Sequence, residues 1–226
     1  MSTLDSIEEK STSEILYRRS IEGNAPNVFT DIYRNDANIV IWKRELPNEL
    51  SEAVSHILES PPTRAKVLVV SPQNTHNALS DALGESSAVA TLSDDIALLV
   101  DMFCCLFDLT HAGLRLTVLD SPMCPRFHVD HIPCRLVTTY RGIATEWLNH
   151  DVIDRTKLGA GNQGKSDEES GLFESLNDIN RLSEGDVALL KGENWDETKD
   201  AGLVHRSPSV STNERRLLLT LDFIAD

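Results

Sequence analysis

The chain has 226 residues, with 21 Lys and Arg against 36 Asp and Glu, a formal net charge of −15. A surface this acidic repels phosphate backbones and anionic lipid, which argues against a nucleic-acid or membrane binder. Hydrophobic residues at 40% and charged residues at 25% are the proportions of a globular protein with its own core, not of a disordered chain.

Residues 1–36 are polar and aperiodic, and read as a tail with one short helix around Ser13 to Arg19. Residues 37–226 read as a single domain, helical over 37–110 and β-rich over 111–226. Asn38 to Trp42 is a short strand, and Pro47 to Leu58 a helix, because Leu50, Val54 and Leu58 recur every four residues before Pro61 and Pro62 stop it. Lys66 to Val70 is a second apolar strand. Ser93 is the expected N-cap of a long helix, with Asp94 and Asp95 in its first turn and Ile96, Leu99, Val100, Phe103 and Phe107 on its apolar face. After Gly113 come short β-type runs: Leu114 to Leu119, Phe127 to Tyr140 with a bend at Pro133, Asp186 to Lys191, Gly202 to His205 and Arg216 to Phe223. Their punctuation by Gly, Pro and Asn suggests a β sandwich or barrel rather than βαβ units, hence an α+β fold. Between them, residues 149–182 are rich in Gly, Ser, Asp and Glu and read as a long mobile insertion, a natural lid.

The four cysteines lack the spread of a disulfide framework, and Met1 to Lys10 lacks a signal pattern. The apolar run Ile96 to Leu109 is broken by Asp101 and Asp108 and is too short to span a bilayer. A reducing, cytoplasmic location is therefore expected. Gly159 to Ser166 satisfies the P-loop pattern letter by letter. That chemistry needs an apolar strand before the loop and a helix after it, whose amides hold the phosphates. Polar Asp154 to Lys157 precedes the loop and three acids, Asp167 to Glu169, follow it, so nucleotide binding is rejected.

The segment Cys124 to Cys134 carries the chemistry. On a strand, His128 and Asp130 project from one face and His131 from the other. A third ligand on another strand would complete a metal site, and His205, 77 residues beyond His128, ends a short apolar run. Two histidines and one carboxylate form the facial triad of non-haem iron oxygenases. The rival set is Cys124, His128, His131 and Cys134, whose thiolates and imidazoles suit zinc if the segment is a loop.

His128-Val-Asp130, His205 and Arg216 together resemble the 2-oxoglutarate/Fe(II)-dependent dioxygenases. The resemblance implies a double-stranded β-helix, a jelly-roll or cupin-like barrel with the N-terminal helices packed on it. It implies Fe(II) held by His128, Asp130 and His205, and 2-oxoglutarate held through its far carboxylate. The basic residue for that carboxylate is one of Arg215 and Arg216, with Arg216 favoured, because Arg216 to Phe223 is similar to the family's final strand. Tyr140, which shares the parity of His128 and Asp130, and Thr220 would help. Glu146 and Trp147 could touch substrate. Residues 124–148, 185–191 and 205–223 also resemble an uncharacterised bacterial family associated with zinc-homeostasis gene neighbourhoods. The expected function is thus a hydroxylase-type oxygenase acting on a small molecule or a protein side chain. The alternative is a zinc-binding or zinc-homeostasis protein without oxygenase activity. A homodimer is left open.

Overall fold

The computed structural model describes residues 17–59, 66–195, 200, 202–211 and 214–224. Chain segments expected near Pro61 and Pro62, and the part of the expected helix before Tyr17, lie outside them.

Residues 19–36 correct the expectation of a polar tail. Arg19–Gly23 (β1) pairs in parallel with Ala37–Trp42 (β2), and the 3₁₀ helix Pro26–Tyr33 between them buries Val28, Phe29 and Ile32. A few apolar residues spread over two short elements leave no readable period, which hid them in the sequence. Helix Asn48–Glu59 (α1) buries Leu50, Ala53, Val54 and Leu58, as the four-residue spacing required. Strand Lys66–Val70 (β3) has the expected bounds. Helix Thr75–Leu83 (α2) has no counterpart among the expected elements; it is opened by Asn74, whose Oδ1 accepts from Ser71 N at 2.7 Å, and closed at Gly84 with φ 89°.

The long helix Ser87–Phe107 (α3) starts earlier than expected. Ser86, not Ser93, is its N-cap, accepting from Val89 N at 3.1 Å. Ser93 is buried inside the helix, and Asp95 has a tertiary task instead of a dipolar one. Its carboxylate takes both Nη groups of Arg44, at 2.7 and 3.0 Å, and the Tyr140 hydroxyl at 2.6 Å.

The remaining strands are Ala112–Leu119 (β4), Cys134–Arg141 (β5), Glu146–Leu148 (β6), Ile179–Arg181 (β7), Val187–Lys191 (β8), His205–Arg206 (β9) and Arg216–Asp222 (β10). They form a seven-stranded sheet in the order β1-β2-β8-β5-β10-β4-β3 and a three-stranded sheet in the order β7-β6-β9. Alternation sorts the large sheet into two faces. Leu217, Leu219 and Leu221 join one core with Val54, Leu99 and Phe103 of α1 and α3. Leu218, Val137 and Leu190 join a second core with Trp147, Leu182 and Leu203 beneath the small sheet. Helices therefore cover one face of the large sheet, and the small sheet covers part of the other.

The expected strand Phe127 to Tyr140 begins only at Cys134. Residues 127–133 instead lean on the turn after β8. Gly192 N donates to Pro133 O at 2.9 Å and Glu193 N to Asp130 O at 2.8 Å. A side chain at Gly192 would collide with the carbonyl oxygen of Ile132, so the approach needs glycine. The insertion 149–182 is also structured, with short helical turns including Asp167–Ser170 (α4). Its Leu172 and Phe173 pack with Phe127, Leu148 and Val204 in a third core. No described helix is long and apolar enough to cross a membrane.

Tyr140 thus faces the helices, and the parity argument that put it with His128 fails because 127–133 is not continuous strand. Burial, and then the Asp95 charge, raise its phenol far above the ordinary value. Tyr140→Phe should lower stability by about 1–3 kcal/mol, the effect of removing a buried hydroxyl's hydrogen bond to a charged group. Urea unfolding of the two proteins measures it, and equal midpoints would show that the bond to Asp95 contributes nothing.

Candidate metal centre

Two short stretches of backbone bring the three residues together. His128 N donates to His205 O and His205 N to His128 O, both at 3.0 Å, forming an isolated antiparallel bridge. The ring centroids stand 4.7 Å apart. Asp130 Oδ2 lies 3.4 Å from His205 Nε2, and Asp130 Oδ1 3.7 Å from His128 Nε2. One ligand atom from each of the three residues falls within 4.8 Å of the others, the one such group of ligating side chains among the described residues.

Each imidazole is oriented by its other nitrogen. His128 Nδ1 is 2.9 Å from Arg126 O, and His205 Nδ1 is 3.2 Å from Leu203 O. A carbonyl only accepts, so on each ring Nδ1 donates its N–H there and Nε2 is the atom turned to the partner residues, with a proton to give to Asp130 when the ring is charged and a lone pair for a metal when it is neutral. Burial, and then the neighbouring His205, lower the His128 pKa and favour the neutral ring that a metal requires. Burial would raise Asp130, but the His205 hydrogen bond and the charges of His205, Arg135 and His128 outweigh it and hold the carboxyl below the usual range. Arg135 Nη1 reaches Asp130 Oδ2 at 2.6 Å.

The surrounding insertion fixes this segment. Asp167 Oδ2 accepts from Phe127 N at 2.8 Å, and Asp167 Oδ1 pairs with Arg126 Nε at 2.9 Å. Arg206 lies over the Phe127 ring at 4.4 Å and pairs with Glu146 and Glu168 at 2.8 and 2.9 Å. Glu146 also accepts from Arg181 at 2.5 Å, so both its oxygens are occupied, and Trp147 belongs to the core between the sheets. Neither is placed to meet a substrate.

A narrow cavity of about 60 Å³ opens beside the triad, lined by His128, His205, Arg135, Thr145, Ser207 and Thr220 among others. Behind it lies Arg216, 1% exposed. Its guanidinium donates to Ser207 Oγ at 2.9 Å, Thr145 Oγ1 at 3.0 Å and Thr139 Oγ1 at 3.2 Å, and its buried Nε has no partner. Among the described residues it forms no ion pair. Burial lowers its pKa to about 10, against the opposing influence of Glu146. Arg215 points the other way and donates to Leu58 O. The alternation of β10 accounts for the difference. A larger hollow of about 650 Å³, lined by Ser55, Glu59, Arg141, Glu184 and Arg215, shares no residue with this cavity.

Cys124, His128, His131 and Cys134 do not assemble. Cys134 is buried in the core on the helix side, where burial raises its thiol far above the ordinary value; Cys124 and His131 are exposed. The P-loop pattern is preceded by the turn Arg155–Lys157 and followed by the four-residue α4, not by a strand and a long helix. The sequence reading missed Arg135, Asp167, Arg206 and the hydroxyls of Thr139, Thr145 and Ser207. Arg135 and Thr139 share the parity of Val137 on β5, a signal readable once the strand's start is known.

By fold, the chain is similar to the rice dioxygenase for auxin oxidation, at a TM-score of 0.51 and 12% identity over 92% of this chain and 83% of that one. It is also similar to the dioxygenase for auxin oxidation 1 from Arabidopsis thaliana in its complex with 2-oxoglutarate (TM-score 0.48, 8% identity, 92% and 93% covered). A Pseudomonas putida prolyl-4-hydroxylase matches at a TM-score of 0.44 and 12% identity, with 89% and 98% covered. No curated protein matches the chain. At 12% identity the rice likeness shows the fold, a double-stranded β-helix with helices packed on its large sheet. Residues 23–222 match the family described as "Protein of unknown function (DUF1826)", and the chain belongs to that family.

Proposed function

We propose that the protein is an Fe(II)- and 2-oxoglutarate-dependent oxygenase of the hydroxylase type, acting on a small molecule or a protein side chain. One observation carries the reading: the cavity beside a His–Asp–His cluster is backed by a buried guanidinium that has hydroxyl partners and, among the described residues, no paired carboxylate. A buried, unneutralised cation is costly, and an anion entering the cavity would relieve that cost.

His128 Nε2, Asp130 and His205 Nε2 would hold the iron. Iron with its keto acid supplies oxygen activation and the oxidation of a C–H bond. The protein binds and orients. Arg216 would take the far carboxylate of 2-oxoglutarate, with Thr220 on the same cavity wall, while Thr139, Thr145 and Ser207 hold the guanidinium in place. Asp167, Leu172 and Phe173 of the insertion pack against Phe127 and shield the segment that carries His128 from water. The four cysteines are free thiols, which fits the reducing cytoplasm. The acidic surface disfavours nucleic acid as substrate.

Asp130→Ala should abolish tight Fe(II) binding with little loss of fold, and His131→Ala, at an exposed position, should leave iron stoichiometry unchanged. Metal analysis after anaerobic reconstitution reads both. Unchanged iron in Asp130→Ala would remove the assignment.

Arg216→Ala should weaken 2-oxoglutarate by roughly tenfold to a hundredfold, the loss of about 1.5–3 kcal/mol for a hydrogen bond to a charged group, while iron stays bound. Arg215→Ala should change it little, since that side chain faces α1. The absorbance of the Fe(II)–2-oxoglutarate chelate, titrated under argon, measures both. Absence of the band in wild type would exclude the cosubstrate.

A further inference from the structure

Asp130 sits on the irregular segment 127–133, where no ladder of hydrogen bonds dictates the direction of its side chain. Its neighbour Arg135 is on β5, within a rigid sheet. Arg135 and Asp222 are Cα partners across β5 and β10. Arg135 Nε and Nη2 grip the two oxygens of Asp222 at 2.7 and 2.9 Å, and its remaining arm, Nη1, donates to Asp130 Oδ2 at 2.6 Å. One guanidinium thereby joins two carboxylates, one on a sheet strand and one in the candidate metal centre.

From this we infer that Arg135, anchored by Asp222, is a positioning residue that holds Asp130 with Oδ2 occupied and Oδ1 left for the metal. The inference rests on reading His128, Asp130 and His205 as metal ligands. A planar guanidinium can serve three oxygens at once in fixed directions, which a lysine cannot. Held by the clamp, Asp130 would offer a metal one oxygen and not two. Asp222 has a second effect. A lone arginine beside a divalent cation would repel it, and the bidentate carboxylate on the far side neutralises that charge. Both the angle and the charge at Asp130 are then set from β10, without Asp222 touching the metal.

The test is a titration with Co(II) alone, followed by its visible ligand-field spectrum, in wild type, Asp130→Ala, Arg135→Gln, Arg135→Lys and Asp222→Asn. Arg135→Gln should lose roughly tenfold to a hundredfold in Co(II) affinity, as outer partners of metal ligands do, and should alter the band shape as Asp130 turns. Arg135→Lys should recover part of the affinity and less of the band shape. Asp222→Asn should weaken Co(II) in the same direction, and combining it with Arg135→Gln should add little, because the two act as one unit. Thermal unfolding runs beside each titration. A merely structural pair would lower the midpoint but leave Co(II) affinity and spectrum of the folded protein unchanged. If Arg135→Gln proves unfolded, Asp222→Asn decides alone. Wild-type affinity and spectrum in Arg135→Gln and Asp222→Asn, with binding lost in Asp130→Ala, would overturn the inference and leave the metal site standing. Wild type that binds no Co(II), or Asp130→Ala that binds it equally well, would overturn both.

Discussion

The paired backbone hydrogen bonds between His128 and His205 are the contact on which the site depends. Each contributes about 0.5–1.5 kcal/mol on its own, little against the entropy of holding an irregular segment against a two-residue strand. Their effect is geometric. They lock the start of the 127–133 segment to β9, and β9 in turn is paired to β6 in the small sheet. Supports then accumulate around that bridge: Asp167 on the Phe127 amide, Glu193 on the Asp130 carbonyl, and Gly192 close enough to Ile132 that no side chain fits.

Charge is handled differently on the two faces of the large sheet. On the helix side, Arg44 and Tyr140 both serve Asp95, so a half-buried carboxylate is fully matched and fastens α3 to β5. Around the site, Arg206 has Glu146 and Glu168, and Arg135 has Asp130 and Asp222. Arg216 is the exception among these arginines, surrounded by hydroxyls and lacking an ion pair within the described residues. Folded proteins rarely leave a buried guanidinium so poorly matched without a functional reason. The same chain that is acidic overall keeps one buried cation behind the cavity beside the His–Asp–His cluster, joined to its wall through Thr145 and Ser207.

Strands were legible where alternation or an apolar run was unbroken. Lys66–Val70 and Arg216–Asp222 came out close to their true bounds, and the placement of Arg216 toward the cavity and Arg215 away followed from parity on one short strand. Helix starts were less legible. Asp94 and Asp95 carry the signature of a first turn, yet they sit mid-helix because Arg44, about 50 residues earlier in sequence, needs Asp95 there. Tyr140 was misplaced for a related reason. Parity counted from His128 assumed continuous strand through Pro133, and the strand begins only at Cys134.

What the sequence determined by itself was which side chains have ligating chemistry, His128, Asp130 and His205 among them, and the alternation that turns Arg216 and Thr220 to one face and three leucines to the other. Those properties are local: they depend on residue chemistry and on a period of two. Only the tertiary structure decided that His205 meets His128, that Cys134 goes to the core while Cys124 stays exposed, and that Arg135 bridges Asp130 and Asp222. Each of those outcomes is a pairing between strands or loops far apart in the chain. Their register is set by which cores the intervening residues can fill, and no local pattern carries that information.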